Sequence, residues 1–486
     1  MNTGKVVNNF IYNTLYQILV LIVPLITMPY VSRVLGVTNI GIFNYAQSIA
    51  TYFILIGAVG TTLYGQREIS YLQDKPEERS KVFWEIEVFR IVTVIICTIF
   101  YIVVFCNFGR YTLVYEILII EIAATAFDIS WLFMGMEDFK LTVIRNTIIK
   151  VVGVICVFAF VRSVDDLGIY TACMTVPILL GNISLWFALR RYVVKVDVSA
   201  KELIKGIKLR LLPIFILFLP QIAIDVYTVL DKTMLGVLAS SIDEVGYYSQ
   251  AQKIVKIILM IVTSLGVVML PAMSAAFARG DHEGIRKSIK TAFRFIYMLS
   301  FSLLFGICAI SSRFVPIFFG PGYDPVVNLI IIISPILVII ATSNVIGRQF
   351  LLPTNQQKFF TISIIAGAVV NFVLNLVMIP HWDAVGASIA TVVAELAVTL
   401  VQIWFVRKQL PLKECLTSGI RYLVFGAVMF LIVRGVGMLL PEGKIWALLV
   451  MIVVGMVVYC LELLISKDPM MKIATDYLKR GESQDV

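Results

Sequence analysis

The sequence has few charged residues and almost no histidine. Only 15% of its 486 residues are Asp, Glu, Lys or Arg, and two are His, whereas soluble globular domains carry about 25% charged residues. Such a chain has too few charged groups to cover a water-exposed surface of its own size. The composition therefore excludes a soluble multidomain enzyme.

The sequence patterns of common enzyme and metal sites are also missing. There is no G-x-x-x-x-G-K-[ST] loop for nucleotide phosphates, no G-x-S-x-G or H-E-x-x-H pattern, and no C-x-x-C pair among the seven cysteines. His282 and His381 cannot build a metal site alone. We therefore expect a protein that is not an enzyme, with no catalytic residues, no metal site, no bound cofactor and no ATP hydrolysis by the usual phosphate-binding loop.

The sequence contains long apolar runs with few charged residues. Hydrophobic residues make up 59% of the chain, which at roughly 20 residues per span is enough for about fourteen membrane-spanning helices. Apolar runs bounded by charges, Gly or Pro lie at about 10–31, 42–65, 84–106, 112–135, 143–161, 168–189, 211–235, 246–271, 291–312, 326–349, 359–379, 384–406, 420–440 and 445–466. The pattern predicts an all-α polytopic membrane protein with about 14 transmembrane helices.

Lysine and arginine are distributed unequally between the predicted connections. Most of the 40 Lys and Arg residues fall on the side that holds both termini. The opposite connections hold only Arg33, Arg110, Arg162, Arg313 and Lys444. Since Lys and Arg accumulate on the cytoplasmic side, we expect a multi-pass protein with both termini in the cytoplasm. The same bias accounts for most of the net charge of +9 without a nucleic-acid partner.

A short motif occurs twice in the sequence. Leu-Gly-Val ends the first predicted span at 35–37 and the seventh at 235–237, and Gly41 and Gly246 open the spans that follow. Both copies fall at the same place in a unit of six spans, and an even number of spans gives the two units the same orientation. Two parallel lobes with a cleft between them are typical of transporters. The predicted domains are two six-helix lobes at 1–200 and 201–408, then two further transmembrane helices and a cytoplasmic tail at 409–486.

Several predicted spans contain ionisable residues. Each costs at least about 2.5–3.5 kcal/mol on insertion scales, so it should face protein or a water-filled cavity. Cations facing a cleft would suit an anionic substrate, and buried acids could bind H⁺ or Na⁺. The candidate substrate-binding residues are Arg33, Arg145, Lys150, Lys253, Lys256 and Arg348, and the candidate ion-coupling residues are Asp128, Asp225 and Glu395.

Structural roles explain some of these charges equally well. Lys253 on the eighth span could pair with an acid of the seventh, and Arg33 and Arg348 lie near span ends, from which long cationic side chains reach the headgroups. Glu87 and Arg90 are three residues apart in the third span, a spacing that favours an ion pair within one helix. Lys150 has no acid within one helical turn.

Several motifs resemble those of the Wzx-type polysaccharide repeat-unit flippases, which belong to the multidrug/oligosaccharidyl-lipid/polysaccharide (MOP) exporter superfamily. The motifs are Ser32-Arg33-Val34-Leu35-Gly36, Tyr45-Ala46-Gln47-Ser48, Tyr64-Gly65-Gln66-Arg67-Glu68-Ile69, Trp131-Leu132-Phe133-Met134-Gly135-Met136-Glu137-Asp138-Phe139 with Arg145-Asn146, Leu230-Asp231-Lys232-Thr233-Met234-Leu235-Gly236 and Gly386-Ala387-Ser388-Ile389-Ala390-Thr391. The resemblance extends over nearly the whole chain. It implies two six-helix lobes in a V, as in MATE exporters, with two additional C-terminal helices in a bacterial plasma (inner) membrane.

The resemblance also implies a substrate and a mechanism. The substrate would be an oligosaccharide linked to undecaprenyl diphosphate, moved from the inner to the outer leaflet by alternating access and coupled to H⁺ or Na⁺, as in an antiporter. A polysaccharide polymerase and glycosyltransferases of the same pathway would be its partners, beside membrane lipid. The alternatives are a multidrug or cation exporter and a lipid-linked peptidoglycan-precursor flippase of the same superfamily. A membrane glycosyltransferase or polymerase is disfavoured, because the outer connections are too short to hold an active site.

Overall fold

A computed structural model describes the backbone of residues 3–107 and 110–471, and their side chains except at 3–15, 219–221, 223–227, 264–272, 278 and 282. Over the two described ranges the chain is helical and forms no β-strand. Among the described residues, ten helical segments are long and apolar enough to cross a membrane. The all-α membrane fold expected from composition is confirmed.

The chain divides by its internal contacts into two compact units, Met1–Val237 with Ser241–Gly246, and Leu238–Ser240 with Tyr247–Val486. The helices of the first unit are α1 (Thr3–Ala58), α2 (Thr61–Tyr71), α3 (Pro76–Tyr101, continued by a π-helical turn Ile102–Cys106), α4 (Thr112–Ala124, continued by a 3₁₀ turn Thr125–Phe127), α5 (Ser130–Gly135), α6 (Phe139–Phe160), α7 (Leu167–Ala188, continued by a 3₁₀ turn Leu189–Arg191) and all but the last residue of α8 (Ala200–Leu238).

Helix α1 is the centre of packing in the first unit, where it contacts α3, α4 and α6, while α4 and α6 both pack on α7. One core cluster surrounds the buried indole of Trp131, which stacks on Phe83 with 5.4 Å between ring centroids. A Cβ on Gly65 would overlap that indole. The glycine of the Tyr64-Gly65-Gln66 motif is therefore needed for the close approach of α2 to Trp131.

The second unit is built around α10. Its helices are most of α9 (Asp243–Ala278), α10 (His282–Phe319), α11 (Asp324–Ile333), α12 (Ile336–Ile346, continued by a π-helical turn Gly347–Leu351), α13 (Gln357–Val406), α14 (Leu412–Leu439) and α15 (Ile445–Ile465). Helix α10 packs against α11, α12, α14 and α15. The core of the second unit includes the buried side chains of Phe293, Tyr297 and Tyr422.

An arginine of α10 contacts the end of α14, the first of the two C-terminal helices. Arg313 near the end of α10 donates to the carbonyl oxygens of Pro441 at 2.6 Å and Leu440 at 2.8 Å, and also to that of Gly437. These carbonyls lie in and just after the last turn of α14, where a helix leaves carbonyl oxygens without the usual N–H partner four residues on; that of Gly437 also accepts from the backbone N–H of Leu440 at 3.3 Å. One guanidinium thus satisfies the end of α14 and ties it to α10.

Two long helices are each interrupted by one non-helical residue. Gly36 interrupts α1 with φ 73° and ψ 173°, a backbone conformation that glycine adopts without steric cost. Asp383 interrupts α13 with φ 46°, and its carboxylate accepts from the backbone N–H of Ser240 at 2.7 Å. Each break falls between two predicted spans, so α1 and α13 each cover two of them.

The predicted seventh and eighth spans fall in α8 and α9, which contain undescribed side chains and are not among the ten segments. The number of fourteen helices, the arrangement of the lobes and the domain boundaries at residues 200 and 408 stay predictions.

One face of α3 is apolar and exposed. Ile96 and Phe100 are each 60% exposed, and Ile95, Ile99 and Val103 are also exposed. A continuous apolar surface of this kind is unfavourable in water, whereas in a bilayer it faces lipid tails. The opposite face of the same helix carries the buried side chains of Phe83, Glu87 and Arg90.

The two glycines of the repeated motif come together in the first unit. A Cβ on Gly246 would lie 2.5 Å from the carbonyl oxygen of Val37, and a Cβ on Gly41 would overlap the carbonyl oxygen of Ile242. The repeated glycines therefore allow two backbones to meet directly, a requirement that no larger residue satisfies.

We expect Gly41→Ala and Gly246→Ala each to lower the free energy of unfolding by about 1–3 kcal/mol, because the added methyl group forces backbone movement in a packed region. The melting temperature of the purified protein in detergent measures this. Gly435→Ala on α14 is the matched control, since nothing lies within 4 Å of a Cβ there. Equal melting of the Gly41 and Gly435 variants would contradict the proposed close approach.

Candidate functional site

A cavity of about 410 Å³ lies among the helices of the first unit. Its lining comes from α1, α2, α3, α4 and the connection that follows it, α6 and α7, and includes Arg90, Glu121, Asp128, Arg145, Lys150 and Asn182. Three of these, Asp128, Arg145 and Lys150, are candidate site residues from the sequence. The structure brings them together from segments that are separate in the chain.

Asp128 occupies a break between helices. After α4 and its 3₁₀ turn the chain is extended at Asp128, with φ −81° and ψ 90°, before α5 begins at Ser130. The backbone N–H of Ser130 donates to Oδ1 of Asp128 at 3.1 Å. This bond holds the carboxylate at the start of a short helix, aimed into the cavity.

Two guanidinium groups flank this carboxylate. Arg90 Nη2 lies 4.0 Å from Oδ2 of Asp128, and Arg90 Nη1 donates to the carbonyl oxygen of the same residue at 2.8 Å. Arg145 Nη1 lies 3.4 Å from Oδ1. Arg90 therefore pairs with Asp128, and no ion pair joins it to Glu87 among the described residues. The expected pairing of Glu87 with Arg90 is wrong, because the carboxylate of Asp128, in the connection between α4 and α5, is better placed.

Arg145 is oriented by two asparagines. Its Nη1 donates to Oδ1 of Asn182 at 2.6 Å and its Nη2 to Oδ1 of Asn146 at 2.7 Å. The amide of Asn182 in turn donates to the carbonyl oxygen of Ala124 at 2.7 Å, at the end of α4. These bonds connect α6, α7 and α4 around one guanidinium and fix its position in the cavity wall.

Lys150 differs from the two arginines because it has no ion-pair or hydrogen-bond partner among the described residues. It lies on α6, just over one helical turn after Arg145, and its side chain is half-buried. The second acid of the cavity, Glu121, accepts hydrogen bonds from Gln47 at 2.9 and 3.0 Å. The lining thus has three cationic side chains and two carboxylates, an excess of positive charge that suits an anion. Arginine and lysine are the residues that most often bind phosphate groups.

The other candidate residues do not line this cavity. Arg33 is exposed on α1, three residues before the break at Gly36. Asp225 lies in α8, but its side chain is outside the described residues. The remaining four belong to the second unit, where Lys256 and Arg348 are exposed and Lys253 and Glu395 are partly buried. The roles assigned to these residues stay predictions.

A second cavity, of about 940 Å³, lies in the second unit. Arg286, Lys287 and Lys290 from the first turns of α10 contribute its positive charge, with Glu283 beside them. The sequence places these residues in a connection on the predicted cytoplasmic side rather than within a span. The cavity of the first unit is therefore the better candidate for a site inside the membrane.

Membrane-crossing helices with a cationic cavity between them define a class of membrane transporter, and solved structures show the same fold. The lipid II flippase MurJ in an inward closed conformation has a TM-score of 0.73 at 14% identity, over 95% of this chain and all of that chain (100%). An inward-facing MATE family transporter of the MOP superfamily has a TM-score of 0.56 at 12% identity, over 80% of this chain and 98% of the other.

The family is shown by sequence. Residues 6–277, more than half of the chain, match the family described as polysaccharide biosynthesis protein, and the chain belongs to this family. A putative O-antigen transporter of Escherichia coli (strain K12) is 26% identical over 417 residues, covering 84% of this chain and 98% of that protein. The membership in the Wzx-type branch of the MOP superfamily that the motifs indicated is confirmed.

Proposed function

We propose that the protein is a flippase that carries oligosaccharide repeat units linked to undecaprenyl diphosphate from the inner to the outer leaflet of the bacterial plasma membrane, for cell-surface polysaccharide biosynthesis. The family and the relative named as a putative O-antigen transporter support this substrate class. The observation that carries the proposal is the cationic cavity of the first unit, whose Lys150 has no partner among the described residues.

We propose roles for the cavity side chains from their positions. The diphosphate would bind Lys150 and Arg145, with Arg90 adding positive charge from the far side of Asp128, while the prenyl chain stays in lipid. Asp128 keeps the two guanidiniums apart and oriented, so that their N–H groups are in place before the substrate arrives. Preorganised donors bind an anion with little loss of side-chain freedom.

The direction of transport needs a driving force and an orientation. We propose that both termini are cytoplasmic, supported by the distribution of Lys and Arg in the connections. An H⁺ or Na⁺ gradient, or the use of the product outside by a polymerase and glycosyltransferases of the same pathway, would drive net outward transfer. Rocking of one lobe against the other would provide alternating access.

Two other members of the superfamily are the competing functions. An exporter of cationic drugs would need acids in excess, and the first-unit cavity has cations in excess. A flippase for lipid-linked peptidoglycan precursors would also bind a diphosphate. It is separated from the proposed function only by the sugar it accepts.

Reconstitution in liposomes tests the proposal directly. The vesicles contain fluorescent undecaprenyl-diphosphate oligosaccharide, and a quencher added outside measures the fraction of lipid in the outer leaflet. We expect the quenched fraction to rise above the protein-free value, and to rise faster with an imposed H⁺ or Na⁺ gradient. Transfer without any effect of a gradient would overturn the coupling alone. No transfer of several such lipids, together with efflux of a cationic dye, would overturn the flippase.

A further inference from the structure

We propose that Glu87 binds a proton in the conformation described here, and that this proton is linked to the binding of an anion in the first-unit cavity. Glu87 lies on α3 and is 0% exposed. Neither of its carboxyl oxygens has a hydrogen-bond partner among the residues that the structure describes. It forms no ion pair within the described part of the chain. A carboxylate buried without any of these partners is strongly disfavoured in its ionised form.

The charged groups that face Glu87 are few. Arg90 lies one turn further along α3, and Asp128 reaches the same region from the end of α4. Their charges oppose each other, and the Arg90 guanidinium is directed to Asp128. The indole N–H of Trp131 lies near the carboxyl group and favours its charged form, but its geometry is not that of a hydrogen bond. Arg90 and Trp131 therefore offset only part of the cost of burying a negative charge at Glu87.

A second glutamate on the same helix shows the opposite arrangement. Glu85 is as deeply buried, at 3% exposed, but its Oε2 accepts a hydrogen bond from Nε of Arg210 at 2.6 Å. A guanidinium at this distance stabilises the ionised carboxylate. Two residues of the same type, two positions apart, therefore have opposite surroundings: Glu85 contacts a guanidinium, whereas Glu87 is buried without an ion pair among the described residues.

Arg90 connects Glu87 electrostatically to the cavity. This arginine lines the cavity and is also the nearest cation to Glu87. An anion bound at Arg90 would offset the positive potential at Glu87 and strengthen its hold on the proton. Because linkage is reciprocal, loss of that proton at high pH would weaken anion binding. The proton site and its link to an anion do not depend on the proposed function. The identification of that anion as a diphosphate lipid does.

Infrared spectroscopy of the full-length protein in lipid nanodiscs tests the protonation state. We expect the C=O stretching band of protonated carboxylic acids near neutral pH to lose intensity in Glu87→Gln and to keep it in Glu85→Gln. Glu87→Asp keeps an acid at this position and should shift the band rather than remove it, which provides a second variant if the first does not fold. An unchanged band in both Glu87 variants would overturn the proposal.

Binding of undecaprenyl diphosphate as a function of pH tests the linkage. Above the pH at which Glu87 loses its proton, we expect the affinity of the wild type for undecaprenyl diphosphate to fall more steeply than that of Glu87→Gln. The fall is at most tenfold per pH unit for a single linked proton. Identical pH profiles would overturn the linkage. The infrared result does not depend on transport. If the Glu87 band is present but no lipid is transferred, the flippase proposal is wrong and the proton site stands. If lipid is transferred but the Glu87 band is absent, the proton site is wrong and the flippase proposal stands.

Discussion

Lys150→Ala is expected to slow the transfer of undecaprenyl-diphosphate oligosaccharide by about 10- to 100-fold, the effect of losing one hydrogen bond between charged groups worth roughly 1.5–3 kcal/mol. Because Lys150 has no ion-pair or hydrogen-bond partner in the described part of the chain, its removal should leave the melting temperature unchanged. The rate of fluorescence quenching in the reconstituted vesicles measures the loss.

Two variants on the same helix separate a role in the cavity from a general effect of charge. Lys150→Arg keeps the positive charge and should retain most of the transfer rate. Lys140→Ala removes a lysine that is exposed on α6 and outside the cavity lining, and it should transfer lipid at the wild-type rate. If Lys150→Ala behaves like Lys140→Ala, the cavity of the first unit does not bind the substrate through Lys150.

Asp128→Ala is expected to lower the free energy of unfolding by about 3 kcal/mol, because it leaves two buried guanidiniums without their shared counter-ion. Arg90 and Arg145 are only 2% and 10% exposed, so water cannot fully replace the carboxylate. Thermal unfolding in detergent measures the effect. Asp128→Asn keeps an acceptor for the Ser130 N–H and should lose less.

An exposed aspartate is the control for this variant. Asp197 lies in the connection between α7 and α8 and is exposed, so Asp197→Ala should melt like the wild type. A similar result for Asp128→Ala would show that the two arginines do not depend on it. If Asp128→Asn melts near the wild type but its transfer no longer responds to an ion gradient, the ion-coupling role predicted for Asp128 is the better assignment.

The membrane helices could be predicted from the sequence because lipid imposes a simple rule. Every backbone N–H and C=O in the hydrocarbon region needs an internal partner, so each long apolar run becomes a helix. The break at Gly36 falls between two such runs, where the sequence already places a glycine. What the sequence did not indicate is the contact of Gly41 with the region of Gly246, because a close approach of backbones depends on the tertiary fold.

The cavity could be predicted in part for a similar reason. Arg145, Lys150 and Asp128 stand out because a charge in an apolar run is costly wherever the helix lies. The partner of Arg90 could not be found in this way. The helical spacing rule indicates a neighbour one turn away, whereas the partner is 38 residues further along the chain. Its position depends on the 3₁₀ turn that ends α4, which no local pattern of charges specifies.

The two faces of α3 have a consequence for hydration. Ile96 and Phe100 cover the outward face of this helix with exposed apolar side chains, so water has no route to Arg90 from the lipid. The cavity, which Arg90 lines, offers water and ions a route to this guanidinium from the other side of the helix. Substrate and solvent would then compete for the same space in the cavity, and a bound oligosaccharide would dehydrate the charges that line it.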